Sequence, residues 1–199
     1  MNTCWDEVLG TMPKATLAVR REAFRQLLSG QAATLEGIAA ATRLSRDTAR
    51  EAVDLVVSVG MAETDDGTII GIDGLTTRHT RHRLILGGVE LWTWCAYDIV
   101  GIAAALKADA IGDTQCGLCG RRIEVVILEG EPQTNTVVGW LPDESCTNAM
   151  AEFCPNALLF CSRAHLNEWR RRGEAGSGEA LEVQALAERG REFWKQLVP

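Results

Sequence analysis

The sequence predicts an α+β protein, with a helical N-terminal domain packed on a small αβ domain. Three observations carry this reading. Residues 16–59 place apolar side chains at helical spacing in three capped segments. Residues 61–72 change to strand-like composition around a tight turn. From Gly74 onward the chain mixes β-branched runs with further helical stretches. A chain of 199 residues with 46% hydrophobic content holds one large domain or two small ones with a proper core. The change of character at Gly74 divides it into residues 1–74 and 75–199.

The first helix runs from Thr16 to Leu28, with Leu17, Phe24, Leu27 and Leu28 on its apolar side and a stop at Ser29-Gly30. Thr34 caps a second, Leu35 to Thr42, and Ser45 a third, Arg46 to Val59, which turns Ala49, Val53, Val56 and Val57 inward and ends at Gly60. Met61 to Thr64 and Thr68 to Ile72 form a strand pair about Asp65-Asp66-Gly67. Three helices and a hairpin in this order resemble a winged helix-turn-helix. Charge argues against a nucleic-acid role for it. Residues 1–80 carry eight Lys or Arg against eleven Asp or Glu, a net of −3. A surface that faces phosphates needs an excess of cations. The segment reads as a packing domain, and the whole-chain charge of −7 points the same way.

The second domain opens with the basic stretch Gly74 to Arg83 and a strand at Leu84 to Leu86. His79 and His82 read as partly exposed or hydrogen-bonding residues, because no Cys or acid stands at ligand spacing on the same strand. After Gly87-Gly88 comes Leu91-Trp92-Thr93-Trp94-Cys95-Ala96-Tyr97-Asp98, opening an apolar helical run from Ile99 to Leu106. Residues three apart share a helical face, so Cys95 and Asp98 address one volume. The acid can take the thiol's proton, and the thiolate is the nucleophile and soft-metal ligand. Alone the pair is weak evidence, since a small buried Cys is common in cores.

Strands are expected at Ile123 to Leu128 and Thr136 to Leu141, a helix from Cys161 to about Arg172, a loop at Gly173 to Gly178, and a last amphipathic helix from Glu179 to Val198. No long uncharged apolar run or basic-then-apolar leader is present, so neither membrane span nor signal peptide is expected. Seven cysteines with no export signal fit a cytoplasmic protein with reduced thiols, used for metal or catalysis.

Several of these residues fall into one pattern: Gly74-Leu75-Thr76, Thr80-x-His82-Arg83, Gly87 or Gly88, then Leu91-x-Thr93-Trp94-Cys95-Ala96-x-Asp98, and far along Phe153-Cys154 with Phe160 and Ser162 in step. The pattern resembles the alkylmercury lyase (organomercurial lyase) family over roughly Ala15 to Trp169. The resemblance implies a winged-helix-like domain on an αβ catalytic domain, and a catalytic set of Cys95, Asp98 and Cys154. It further implies an organomercurial substrate, no cofactor, and release of Hg(II) to low-molecular-weight thiols or a mercuric reductase. Neither nucleic acid nor membrane is an implied partner, and a monomer or weak dimer is expected. The chemistry suits the residues. Mercury is soft and binds sulfur, so Cys95 and Cys154 hold it while Asp98 protonates the leaving carbon. Trp92, Trp94 and Phe153 supply apolar surroundings for an organic group.

A second constellation lies outside this pattern. Cys116-Gly117-Leu118-Cys119-Gly120 has the shape of a zinc knuckle, and Cys161 and His165 sit four apart at a helix start. Cys116, Cys119, Cys161 and His165 look like a treble-clef site for structural zinc, with residues 123–128 and 136–141 as its hairpin. Cys154 stands seven residues before Cys161, so either site could claim a sulfur. Cys146 reads as packing or a spare thiol, and Cys4 has no assigned role. The alternative to the lyase is a non-catalytic, thiol-rich metal-binding protein or metal-responsive regulator. Asp98 separates the two, because a mere binder needs no proton donor beside its thiol.

Overall fold

A computed structural model describes residues 10–143, 148–173 and 175–198. Cys4 and Cys146 lie outside the described residues. Helix α1 (Lys14–Leu28) turns Val19, Ala23, Phe24 and Leu27 into the core. A two-residue strand β1 (Ala33–Thr34) leads into α2 (Leu35–Thr42), where the Thr34 hydroxyl accepts the Gly37 N–H. Ser45 caps α3 (Arg46–Ser58) in the same way through Thr48. Both caps are the expected ones and satisfy donors that a helix start leaves orphaned. Strands β2 (Ala62–Asp65) and β3 (Thr68–Ile72) make the expected hairpin, with Asp66 and Gly67 at positive φ in its turn.

The sheet does not stop at Gly74. Strand β4 (Leu75–Thr76) pairs with β3 on one side and with β6 (Val89–Thr93) on the other. It continues through β5 (Arg83–Leu86), β7 (Ala110–Gln115), β8 (Arg122–Leu128) and β9 (Glu131–Pro132). The result is a nine-stranded antiparallel sheet in the order β1-β3-β4-β6-β5-β7-β8-β9, with β2 also on β3. Strand β8 alternates exposed and buried residues along its length, as one solvated face demands.

Three expectations change here. Residues 89–93 are strand, and the helix α4 (Ala96–Leu106) begins only after Cys95. Residues 122–128 and 138–142 do not pair with each other. Strand β10 (Val138–Pro142) belongs to a separate three-stranded sheet, between β11 (Leu158–Phe160) and β12 (Gly178–Glu182). The partner of β8 is β7, a strand whose Gly and Asp residues hid it from a composition reading. Likewise Gly178–Glu182 is strand, and the last helix, α6 (Val183–Trp194), starts four residues later than expected. Helix α5 (Arg163–Arg171) lies near its expected place.

Helix α4 is the centre of the fold. Ala96 to Ala105 are all buried, so it is apolar all round, the signature of a helix enclosed by protein. Its C-terminus closes with Lys107 in the left-handed region. Helix α6 crosses it at Gly101 and Gly190, where a Cβ on either glycine would overlap the other helix. That close approach brings Trp194 over the start of α4, and its indole N–H donates to the Asp73 carbonyl at 2.8 Å. Asp73 in turn holds Arg20 of α1 in a buried two-point ion pair at 2.6 and 3.1 Å. Helix α1, the β3–β4 turn and helix α6 are thereby locked together.

Candidate active site

Cys95 sits at the end of β6 in extended backbone and caps α4. Its N–H donates to an Asp98 carboxylate oxygen at 2.9 Å, and its sulfur faces the Asp98 N–H, a reciprocal capping box. The expected proximity of Cys95 and Asp98 is therefore real, but it arises from a cap rather than from a shared helical face. Asp98 itself is pressed against the β3–β4 turn. Gly74 has φ +95°, and a Cβ there would stand 2.8 Å from the Asp98 carboxyl carbon. The glycine of the Gly74-Leu75-Thr76 motif is thus explained by the room it leaves for the acid.

Cys154 arrives from the other end of the chain. A wide turn, Ala149–Phe153, is tied to the end of α3 by the Ala149 and Met150 N–H groups, which donate to the Val59 and Gly60 carbonyls at 3.1 and 3.2 Å. Cys154 then opens a short 3₁₀ turn, Cys154–Asn156, in which Pro155 fits because a first-turn residue needs no N–H donor. The sulfurs of Cys95 and Cys154 and a carboxylate oxygen of Asp98 lie within 4.8 Å of one another. All three residues are buried, at 0%, 9% and 4% exposure, in that order for Cys95, Cys154 and Asp98.

Burial sets the electrostatics. It pushes the Asp98 carboxyl up to about 7, while the Cys95 N–H and thiol and the Trp94 N–H pull it down and the Asp73 charge adds to the rise. Burial, the hydrogen bond to Cys154 and the Asp98 charge push the Cys95 thiol well above its usual range. A carboxyl near 7 takes up or gives up a proton at near-neutral pH with little cost, while the thiol beside it holds its own proton more tightly.

The site opens on a cavity of about 1130 Å³ lined by Met61, Trp94, Tyr97, Phe153, Trp194, Asp98 and Cys154. Tyr97 packs against Phe153 and Trp194 at ring-centroid distances of 6.2 and 5.5 Å. Trp94 and Phe153 take the expected part. Trp92 does not: it stacks on His79 at 3.9 Å, away from the cavity. Sequence reasoning missed Tyr97 and Trp194 as wall residues. Tyr97 lay inside the recognised motif as an unassigned position, whereas only the α4–α6 crossing brings Trp194 in. A second hollow, of about 360 Å³, reaches Cys154 from the side of Arg78, His79 and His82. His82 is not a ligand of either thiol cluster. It is buried, its Nδ1 lies 2.7 Å from the Thr114 hydroxyl, and burial with the Arg81 charge lowers its pKa to about 4.

Cys116, Cys119, Cys161 and His165 also come together, their ligand atoms all within 4.8 Å. The two clusters share no residue, so Cys154 belongs with Cys95 and Cys161 with the second group.

Comparison with known proteins bears on the chain's family. The family profile described as MerB, alkylmercury lyase, matches residues 75–195. An alkylmercury lyase of Pseudomonas putida is 31% identical over 150 residues, which are 73% of this chain and 69% of the relative. The chain belongs to the alkylmercury lyase family. A lyase of Staphylococcus epidermidis is 27% identical over 176 residues, 86% of this chain and 79% of its own. A solved structure, the mercury-bound form of MerB2, superposes with a TM-score of 0.88 at 26% identity, covering 97% of this chain and 96% of that one. The lyase is thus an enzyme that cleaves carbon–mercury bonds, by chemistry that in this family is cofactor-independent.

Proposed function

We propose that the lyase cleaves organomercurials by protonolysis, with Cys95 and Cys154 as mercury ligands and Asp98 as the proton carrier. One observation carries this: two buried sulfurs and one buried carboxylate, from segments more than fifty residues apart, converge within 4.8 Å at the end of an aromatic cavity. Cys154 lines the cavity and Cys95 lies behind it, so Cys154 meets a substrate R–Hg–X first. Its sulfur bonds mercury, X leaves as the anion, and the thiol proton goes to solvent. Cys95 then joins the metal and its proton passes to Asp98. Two thiolates raise electron density on the carbon, Asp98 returns the proton to it, and the carbon–mercury bond breaks. The products are the hydrocarbon R–H and Hg(II) held by two sulfurs. A low-molecular-weight thiol or a mercuric reductase then removes the ion. The aromatic walls beside Asp98 and Cys154 accept the organic group.

Residues 1–74 form a winged-helix-like unit whose net charge suits packing, and residues 75–199 the catalytic unit. Among the described residues no helix is long and apolar enough to cross a membrane. We place the protein in the cytoplasm, because its described cysteines are free thiols.

The test is benzene release from phenylmercury. Asp98→Asn keeps shape and hydrogen bonding but cannot carry a proton, so it should bind phenylmercury and release benzene ~10²-fold more slowly or worse. Cys154→Ser should abolish release. Turnover by Asp98→Asn at the wild-type rate would refute the assignment of the proton.

A further inference from the structure

The second thiol cluster has no part in this chemistry. Cys116 and Cys119 occupy the turn of the β7–β8 hairpin, which is built as a knuckle. The Cys116 N–H donates to the Arg121 carbonyl at 2.8 Å, and the Gly120 N–H to the Cys116 carbonyl at 2.9 Å. Gly120 takes φ +67° to close it. Cys161 follows β11, and His165 lies in the first turn of α5, whose cap Ser162 accepts the His165 N–H at 3.2 Å. A backbone bond from the Gly117 N–H to the Leu159 carbonyl, 2.9 Å, sets the two segments against each other.

The donor atoms describe a small polyhedron. His165 Nδ1 is 3.1 Å from the Cys161 sulfur and 3.5 Å from that of Cys116, and the sulfurs of Cys119 and Cys161 are 4.0 Å apart. With Zn–S near 2.3 Å and Zn–N near 2.0 Å, a tetrahedron of three sulfurs and one nitrogen has edges of about 3.5–3.8 Å. A histidine hydrogen-bonded to two thiols would account for Cys116 and Cys161. It would not account for Cys119, which is exposed and gains little by packing, yet turns its sulfur to the same point. Three sulfurs and an imidazole also select against oxygen-seeking cations such as calcium and magnesium.

We infer that Cys116, Cys119, Cys161 and His165 hold one zinc ion in a closed Cys₃His site that staples the two sheets together. Four protein ligands leave no open position, so the ion is structural. Its place gives it a purpose. It joins the β7–β8 turn of the large sheet to the β11–α5 corner of the small one. The large sheet delivers Cys95 through β6, and the chain entering β11 delivers Cys154.

The inference is tested without reference to cleavage. Wild-type protein from cells grown without mercury should carry about one zinc per chain by elemental mass spectrometry. Stripping the ion with a chelator should lower Tm by about 5 °C or more, since a ligated metal contributes folding free energy. Cobalt should replace it and give the visible absorption of a tetrahedral thiolate-rich centre. Cys119→Ser, at an exposed position, should fold, retain half an equivalent of zinc or less, and lose the cobalt spectrum. Zinc-free wild type with a chelator-insensitive Tm would overturn the inference. So would zinc content unchanged in Cys119→Ser, or a Cys119–Cys161 disulfide in the unreduced peptide map.

Discussion

Gly74→Ala probes the active site without replacing any member of the proposed catalytic set. At Gly74 the backbone takes φ +95°, where an L side chain is strained by ~1–3 kcal/mol. For a chain of this size ~1 kcal/mol is worth roughly 2–4 °C. Strain alone thus predicts a Tm loss of about 2–12 °C. The added methyl would stand 2.8 Å from the Asp98 carboxyl carbon, about 0.6 Å short of the 3.4 Å of ordinary contact. Either the turn or the carboxyl must give way. The turn is held by Trp194 on the Asp73 carbonyl and by Arg20 on the Asp73 carboxylate, so Asp98 is the part that moves. A displacement approaching 1 Å costs up to ~10²-fold in a positioned reaction. The alanine variant should therefore release benzene from phenylmercury at least ~10-fold more slowly per folded molecule, while its two thiols still take up mercury stoichiometrically. Folded fraction by circular dichroism, mercury uptake by mass spectrometry and benzene by gas chromatography separate these effects. A variant with wild-type Tm and wild-type turnover would refute the claim that Gly74 makes room for the acid.

The raised Asp98 carboxyl has a consequence for stability. Its stabilising share is fully present below the ordinary value of 3.8 and is lost as pH rises through about 7, a total of the order of 4 kcal/mol. Asp98→Asn removes that dependence. Its Tm relative to wild type should accordingly climb between pH 4 and pH 8, and a calorimetric difference that is flat across this range would show that Asp98 is not a high-pKa acid. The N-terminal unit should show only weak, salt-sensitive association with duplex DNA, given the net charge of −3 over residues 1–80. Sequence-selective binding near 10⁻⁸ M at physiological salt, the strength of specific sites, would restore a regulatory role.

The local signals that resisted change were those written in a few adjacent residues. Thr34 and Ser45 cap the helices they were expected to cap, and Asp65-Asp66-Gly67 makes the expected turn, because a cap or turn is satisfied within four residues. The Cys95-x-x-Asp98 pair and the Cys116-x-x-Cys119 turn belong to the same class. Ligand spacing was also enough to gather Cys116, Cys119, Cys161 and His165, whereas the resemblance to alkylmercury lyases implied Cys154 as the partner of Cys95. What the sequence could not express was partnership at a distance. Strand β7 carries Gly112 and Asp113 and reads as a poor strand, yet β5 and β8 on either side supply its hydrogen bonds. The expected pairing of 123–128 with 136–141 failed for the same reason, since each run is a sound strand and only tertiary neighbours choose its sheet. Cys154 and Cys161 are seven residues apart along the chain, and either sulfur could serve either site on spacing alone. The short turn at Cys154–Asn156 and strand β11 between them send one sulfur to Cys95 and the other to the knuckle. Trp194 became a wall of the cavity only through the Gly101–Gly190 crossing, and burial rather than any neighbour in sequence raised Asp98 to about 7. Residue types and spacing determined which chemistry this chain can do; the packing of α4 between the two sheets and α6 decided which groups meet and how deeply they are buried.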